Sequence, residues 1–175
     1  MASTDRLDIQ PLALSHADDV LPMLQDDRLY AYIPDKRHVT VESLRARYAR
    51  LLQGSGDPGE VWLNWVVFLG EPRQPVGTVQ ATVLVAERLA DVGYVVFPPF
   101  WGRGYASEAL AWMLEHLRAS GRVDTARAQI DARNEASIGV VRKLGFVFEG
   151  VTEEDGTVDH VYRRGLVDPV TPMRA

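Results

Sequence analysis

The chain has 175 residues, 46% hydrophobic and 25% charged, which suits about one folded globular domain and argues against a disordered chain. Nineteen basic against 24 acidic side chains leave a net charge of −5, which argues against non-specific nucleic-acid binding, since that needs a basic surface to displace counterions. With 0 cysteines, disulfides, thiolate metal sites and a cysteine nucleophile are all excluded. The longest run without a charged side chain, 74–86, has 13 residues. A bilayer-spanning helix needs roughly 20. The N-terminal MASTDRLDIQ has no basic stretch followed by an apolar core, so no secretory leader is expected, and the expected location is the cytoplasm.

Taken in chain order, residues 6–12 alternate apolar and polar like an edge strand. Ser15 with Asp18 reads as a capping box for a first helix to about Asp26, kinked or shortened by Pro22. Residues 27–38 form a loop. Thr40 caps a second helix whose Val41, Leu44, Tyr48, Leu51 and Leu52 follow helical spacing, and the glycines from Gly54 end it. Three β-branched-rich runs, 61–69, 76–85 and 92–97, read as buried strands. A third helix spans about 104–119, with Ala106, Ala109, Leu110, Met113, Leu114 and Leu117 on one face. Residues 125–131 form a strand, and Asn134 caps a short helix ending at Leu144. Strands 146–151 and 158–166 close the chain around Asp155-Gly156, a hairpin signal. The order is β-α-α-β-β-β-α-β-α-β-β, with a parallel crossover between strands 92–97 and 125–131.

The informative stretch is VGYVVFPPFWGRGYAS, residues 92–107. A strand runs into Pro98-Pro99, and Gly102-Arg103-Gly104 opens a helix. Glycines there let backbone N–H groups approach an anion, and the helix start adds unpaired amides and partial positive charge. Arg103 adds a full charge, so the expected ligand is a phosphate or pyrophosphate. Prolines cannot continue a ladder, so they are expected to splay this strand from its neighbour.

These residues resemble the GNAT N-acetyltransferases, and within them the RimJ/RimL-like group. The family's pyrophosphate motif reads Gln/Arg-x-x-Gly-x-Gly/Ala, and this chain has Trp101-Gly102-Arg103-Gly104-Tyr105-Ala106. A second segment follows as Asn134-x-x-Ser137, then Lys143-Leu144-Gly145-Phe146. The motif core is 91–150. The resemblance implies an α/β (α+β) fold in one domain over 1–175: a mixed central sheet of about seven strands, splayed at the fourth, with four helices. It implies acetyl-CoA as co-substrate, a primary amine as acceptor (a protein N-terminus or a small molecule), and no metal. A homodimer is compatible with it. Carried over by position, the amides of Gly102, Arg103, Gly104, Tyr105, Ala106 and Ser107 cradle the pyrophosphate. The backbone of Val95, Val96 and Phe97 pairs with the pantetheine arm, and Asn134 hydrogen-bonds the same arm. Val141 stands where many members have a tyrosine that protonates the departing thiolate, which leaves Ser137 as the nearest polar substitute.

Acetyl transfer needs a neutral amine, N–H donors for the oxyanion and a proton or hydrogen bond for the thiolate. Asp91 is the candidate base, with Glu87 and Glu149 behind it; a strand-end charge is the plainer role of all three. His16, His38, His116 and His160 show no metal spacing. Acceptor choice is expected from Tyr30, Tyr32, Asp35, Trp62, Trp65 and the acidic turn 153–155, whose acids would suit a cationic amine. The plainer reading makes the tryptophans core, the acids a solvated tip, and Arg45, Arg47 and Arg50 a solvated helix face.

Two other readings stay open at this point. One is an NAD(P)-binding Rossmann-like fold with Gly102-x-Gly104 and Asp131; against it, Ser107 replaces the third glycine and Asp131 lies 29 residues beyond Gly102, past the usual spacing of about 20. The other is an acetyl-CoA-binding module without turnover.

Overall fold

A computed structural model of the chain describes residues 2–33, 37, 40–70, 72–154 and 156–167. Eight strands form one sheet: β1 (Ala2–Ser3), β2 (Leu7–Pro11), β3 (Glu60–Leu69), β4 (Gln74–Leu84), β5 (Leu89–Val96), β6 (Thr125–Asp131), β7 (Val147–Glu154) and β8 (Thr157–Gly165). Their order is β1-β2-β3-β4-β5-β6-β8-β7, and β5–β6 is the parallel pair in an otherwise antiparallel ladder. β1 is a two-residue addition that the sequence does not signal; the other seven strands and the crossover fall where expected. With antiparallel strands on both sides of that single parallel pair, the sheet is not the doubly wound one a Rossmann-like fold requires.

Four α-helices flank the sheet: α1 (His16–Val20), α2 (Val41–Gln53), α3 (Tyr105–Ala119) and α4 (Glu135–Lys143). Trp65 meets Trp112 of α3 at 5.4 Å between ring centres, whereas Phe68 meets His16 of α1 at 5.3 Å. Residues 65 and 68 of one strand point to opposite faces, so α1 and α3 cover opposite sides of the sheet. α2 packs beside α1, and α4 beside α3. Between these layers the core is continuous from Leu7 and Ile9 through Phe68 and Phe97 to Tyr162.

Local chemistry explains most element ends. Thr40 caps α2 by accepting Ser43 N–H at 3.1 Å, and Gly54 follows the helix at φ +81°. The capping box expected at Ser15 does not form: Ser15 has helical backbone angles and makes no side-chain cap, so His16 N–H bonds to Ala13 C=O instead. Pro22 stops α1 at Val20, and the chain tightens into a 3₁₀ turn over Leu21–Gln25. A second 3₁₀ turn, Asp27–Ala31, occupies what was expected to be loop, its start capped by the Asp26 carboxylate on Arg28 N–H at 3.0 Å. Asp35 and His38 lie outside the described residues.

Candidate active site

The expected splay is present, at β5, which becomes the fifth strand once β1 is counted. β5 and β6 pair at Leu89–Thr125, Ala90–Ala126 and Asp91–Arg127, and then separate. The prolines do not cause this. Separation starts after Asp91, whereas Pro98 and Pro99 begin a 3₁₀ turn (Pro98–Phe100) that ends the strand. Across the gap, Tyr94 reaches α4, its hydroxyl donating to Ser137 C=O at 3.0 Å.

Backbone direction along β5 follows from two bonds. Phe97 N–H donates to Val76 C=O of β4 at 2.8 Å, and Arg88 C=O accepts Asp124 N–H at 2.7 Å on the β6 side. Antiparallel strands alternate, so odd-numbered residues face β4 and even-numbered ones face the other edge. Val95 and Phe97 therefore turn their backbone groups to β4, which corrects the expectation that all of Val95, Val96 and Phe97 face the opened side. Val96 does face it, and Tyr94, which the sequence reading passed over, does too. Val96 C=O is already occupied by the Trp101 indole N–H at 2.6 Å. Trp101 thus makes a polar contact within the protein. Gly77 of β4 lies so close that a side chain there would collide with Val95 C=O.

Beyond β5 the chain turns into α3 through an αL residue, Gly104, at φ +81°, with Gly102 at φ +73°. Positive φ is where glycine carries no Cβ penalty. The first intrahelical bond is Glu108 N–H to Gly104 C=O at 3.1 Å. Among the described residues, the amides of Gly102, Arg103, Gly104, Tyr105, Ala106 and Ser107 donate to no backbone carbonyl. Six unspent N–H groups at a helix start form an anion-receiving surface, and residues 101–104 are exposed.

On the α1–α2 face, a cavity of ≈ 260 Å³ reaches the opened segment of β5 at Gly93, Tyr94, Val95 and Phe97. Its floor carries Asn64 and Gln80, which are cross-strand partners. Gly93, paired with Gln80, keeps the floor open; a Cβ there would press on Gln80 Nε2 at 3.2 Å. Thr78, Tyr30 and Tyr48 add side chains with hydroxyls, whereas Tyr94 lines the cavity at β5 and sends its own hydroxyl to α4. Burial pushes the phenols of Tyr48 and Tyr94 up to about 12, so both keep their protons at neutral pH. The charged lining residue is Arg47, which is half-buried rather than part of a solvated face.

The candidate base is tied up elsewhere. Asp91 is the third residue of β5, not its opening, and Arg127 grips both of its oxygens, at 2.5 and 2.7 Å. Asp91 does not line the cavity. Glu149 pairs with Arg163 at 2.9 Å. Ser137 also lies off the cavity lining; its N–H donates to the Asn134 cap at 3.1 Å, and its hydroxyl makes no bond among the described residues. The Asn134 Oδ1 is spent on that cap, leaving its NH₂ group for a ligand. Val141 is fully buried. His160 packs between Phe148 and Tyr162 on the far strands, and His116 stacks on Trp112. Of the acceptor-side residues, Tyr30 and Trp65 line the cavity, Tyr32 and Trp62 do not, and Glu153 and Glu154 lie on the exposed tip of β7. Asp155 is outside the described residues. Asp131 holds Arg133 N–H at 2.9 Å and its guanidinium at 2.6 Å, a local turn rather than a ribose site. Among the described residues there is no group of three or more acids or histidines that could hold a metal, and no helix long and apolar enough to cross a membrane.

Residues 6–147 match the family model described as Acetyltransferase (GNAT) domain. The uncharacterized N-acetyltransferase YoaA of Bacillus subtilis (strain 168) is 24% identical over 166 residues, covering 93% of this chain and 88% of that one. RimL, a ribosomal L7/L12 alpha-N-protein acetyltransferase solved with coenzyme A, superposes with a TM-score of 0.82 at 19% identity, covering 94% of this chain and 96% of its own. The spermidine N-acetyltransferase of Vibrio cholerae, solved with CoA and spermine, gives 0.78 at 14% identity, covering 93% and 97%.

Proposed function

The chain belongs to the GNAT acetyltransferase family, and on that premise we propose that it acetylates a primary amine of the α-amino type, borne by a peptide N-terminus or a small molecule. The protein is an acyltransferase, and acetyl-CoA supplies the acetyl group as a thioester. The acceptor assignment rests on one observation: none of the described residues lining the cavity is Asp, Glu or His.

Without such a base, the amine must arrive neutral. An α-amino group, with a pKa of about 7.7–8.0, is roughly half neutral near pH 8. A lysine or polyamine amine near about 10.4 is neutral in only about one molecule in 250 at that pH. The apolar walls further oppose a polycation. The amide oxygens of Asn64 and Gln80 offer acceptors to the amine's N–H groups. The N–H groups of Tyr94 and Val96, turned to the opened edge, are the backbone donors for negative charge developing on the carbonyl oxygen. The unspent amides of residues 102–107 and Arg103 hold the pyrophosphate. The Asn134 NH₂ meets the pantetheine arm, and the Ser137 hydroxyl donates to the departing sulfur. One catalytic domain over residues 1–175 and a cytoplasmic location complete the proposal, which requires no homodimer.

The test is thiol release from acetyl-CoA with a panel of amines: short peptides with free or blocked α-amines, phenylethylamine and spermidine. Turnover is expected with free α-amines and not with spermidine. Turnover with spermidine and none with α-amines would overturn the acceptor assignment. Acetyl-CoA binding without turnover on any amine would favour a binding module.

A further inference from the structure

A loop whose own amides are unpaired must take its shape from outside itself. Arg6, in the turn between β1 and β2, supplies three contacts that straddle Gly104. Its Nη1 donates to Arg103 C=O at 3.1 Å, its guanidinium carbon stands 4.7 Å from the centre of the Tyr105 ring, and its Nε donates to Glu108 Oε2 at 2.7 Å. Nη2 pairs with the same carboxylate. The other Glu108 oxygen takes the Thr4 hydroxyl and, at 3.3 Å, the backbone N–H of Arg6.

Glu108 makes this arrangement consequential. It sits in the first turn of α3, where a carboxylate suits the helix but repels a phosphate held at the same end. Partial burial raises its pKa, but the Thr4 hydroxyl and Arg6 outweigh that and hold it below the ordinary range, so the charge is present at neutral pH. We propose that Arg6 is a positioning residue for acetyl-CoA: it holds the 103–105 backbone in its anion-receiving form and cancels the Glu108 carboxylate beside the pyrophosphate. This rests on the reading that residues 102–107 receive that pyrophosphate. The contacts come from the N-terminal strand pair, about a hundred positions away in the chain, and involve no acceptor-site residue.

The experiment compares acetyl-CoA with S-acetylpantetheine, a thioester that lacks the phosphates. CoA affinity is read by calorimetry, and kcat and KM with the best amine of the panel. Arg6→Met is expected to raise KM for acetyl-CoA about tenfold, with kcat within about twofold and KM for S-acetylpantetheine unchanged. Adding Glu108→Gln to Arg6→Met is expected to recover about threefold, because the uncompensated charge is then gone. If Arg6→Met does not fold, as judged by its melt, Arg6→Lys carries the comparison. Lysine keeps the charge without the fork, and an increase of about threefold confined to acetyl-CoA is expected. Equal losses with both donors, no loss with acetyl-CoA, or no recovery in the double variant would overturn the role of Arg6. A wild-type protein that handles the two donors equally well would instead overturn the phosphate reading of the loop.

Discussion

Asp91 and Arg127 form the last residue pair of the β5–β6 ladder and are also joined by two hydrogen bonds, at 2.5 and 2.7 Å. The ion pair stands where the strands begin to part and fastens the closed end of the splay. Both Asp91 oxygens are engaged by the guanidinium, and Asp91 lies off the cavity lining, so it is not placed to act on the amine. Asp91→Asn is therefore expected to change kcat less than about twofold. The pair is partly exposed, so its loss should cost about 0.2–1 kcal/mol, or about 1–3 °C in Tm. A thermal melt and a steady-state assay check both. A fall of a hundredfold in kcat with an unchanged melt would restore Asp91 as the base.

Gly104 shapes the anion-receiving loop through its φ of +81°. Space is not its constraint, because the nearest atom to an added Cβ would be Arg6 Nη2 at 3.6 Å. The cost of Gly104→Ala is conformational, about 1–2 kcal/mol. Either the loop keeps its shape and Tm falls by about 2–8 °C, or it relaxes and acetyl-CoA affinity drops. Melts with and without acetyl-CoA separate the two. An alanine variant unchanged in both would show that the αL conformation does not matter.

Tyr94 and Ser137 share a hydrogen bond but are assigned different work. With its phenol pushed up to about 12 by burial, Tyr94 is a far weaker acid than a thiol, whose ordinary pKa is about 8.5. Tyr94→Phe is expected to cost about 1 kcal/mol of stability, from the lost bond to Ser137 C=O, and to leave the shape of the kcat–pH profile intact. Ser137→Ala is expected to lower kcat while acetyl-CoA affinity persists. If Tyr94→Phe removes a limb of the pH profile, the proton passes through the tyrosine instead.

Asp131 provides a pH test of the fold beside the opened edge. The Arg133 side chain, then the Arg133 N–H, outweigh burial and lower its pKa from 3.8 to about 2. A depressed folded pKa favours the ionised form, so its contribution is complete above about 3.8 and is lost as pH falls towards about 2. Stability followed by circular dichroism should decline in that window. In Arg133→Ala the carboxylate should protonate at higher pH, and the decline should begin earlier. Identical acid profiles would show that the pair contributes nothing.

Much of this was legible in advance, because it rests on neighbours along the chain. The α3 face from Ala109 to Leu117, the Thr40 and Asn134 caps and the Gly102-x-Gly104 turn each depend on residues within a few positions of one another. Their physics is local: helical periodicity, a side-chain oxygen three residues before an orphan N–H, and a residue without Cβ where φ must be positive. The missing cap at Ser15 shows the limit of such signals, since the chain from Ala13 satisfied the same amides.

Which side of β5 each backbone group faces, what opens the splay and what braces the loop were decided by tertiary structure. Asp91 looks like an available carboxylate until Arg127, 36 positions later, is brought against it. Arg47 looks like part of a solvated face until the α1–α2 connection closes a cavity over it. Arg6 carries no motif at all, and its relation to Glu108 spans 102 positions. Charge pairing and strand register depend on distances through space, which local sequence patterns do not encode. The glycine turn that opens α3 was legible from neighbouring residues, while the Arg6 brace and the lack of Asp, Glu or His among the described cavity residues followed only from packing.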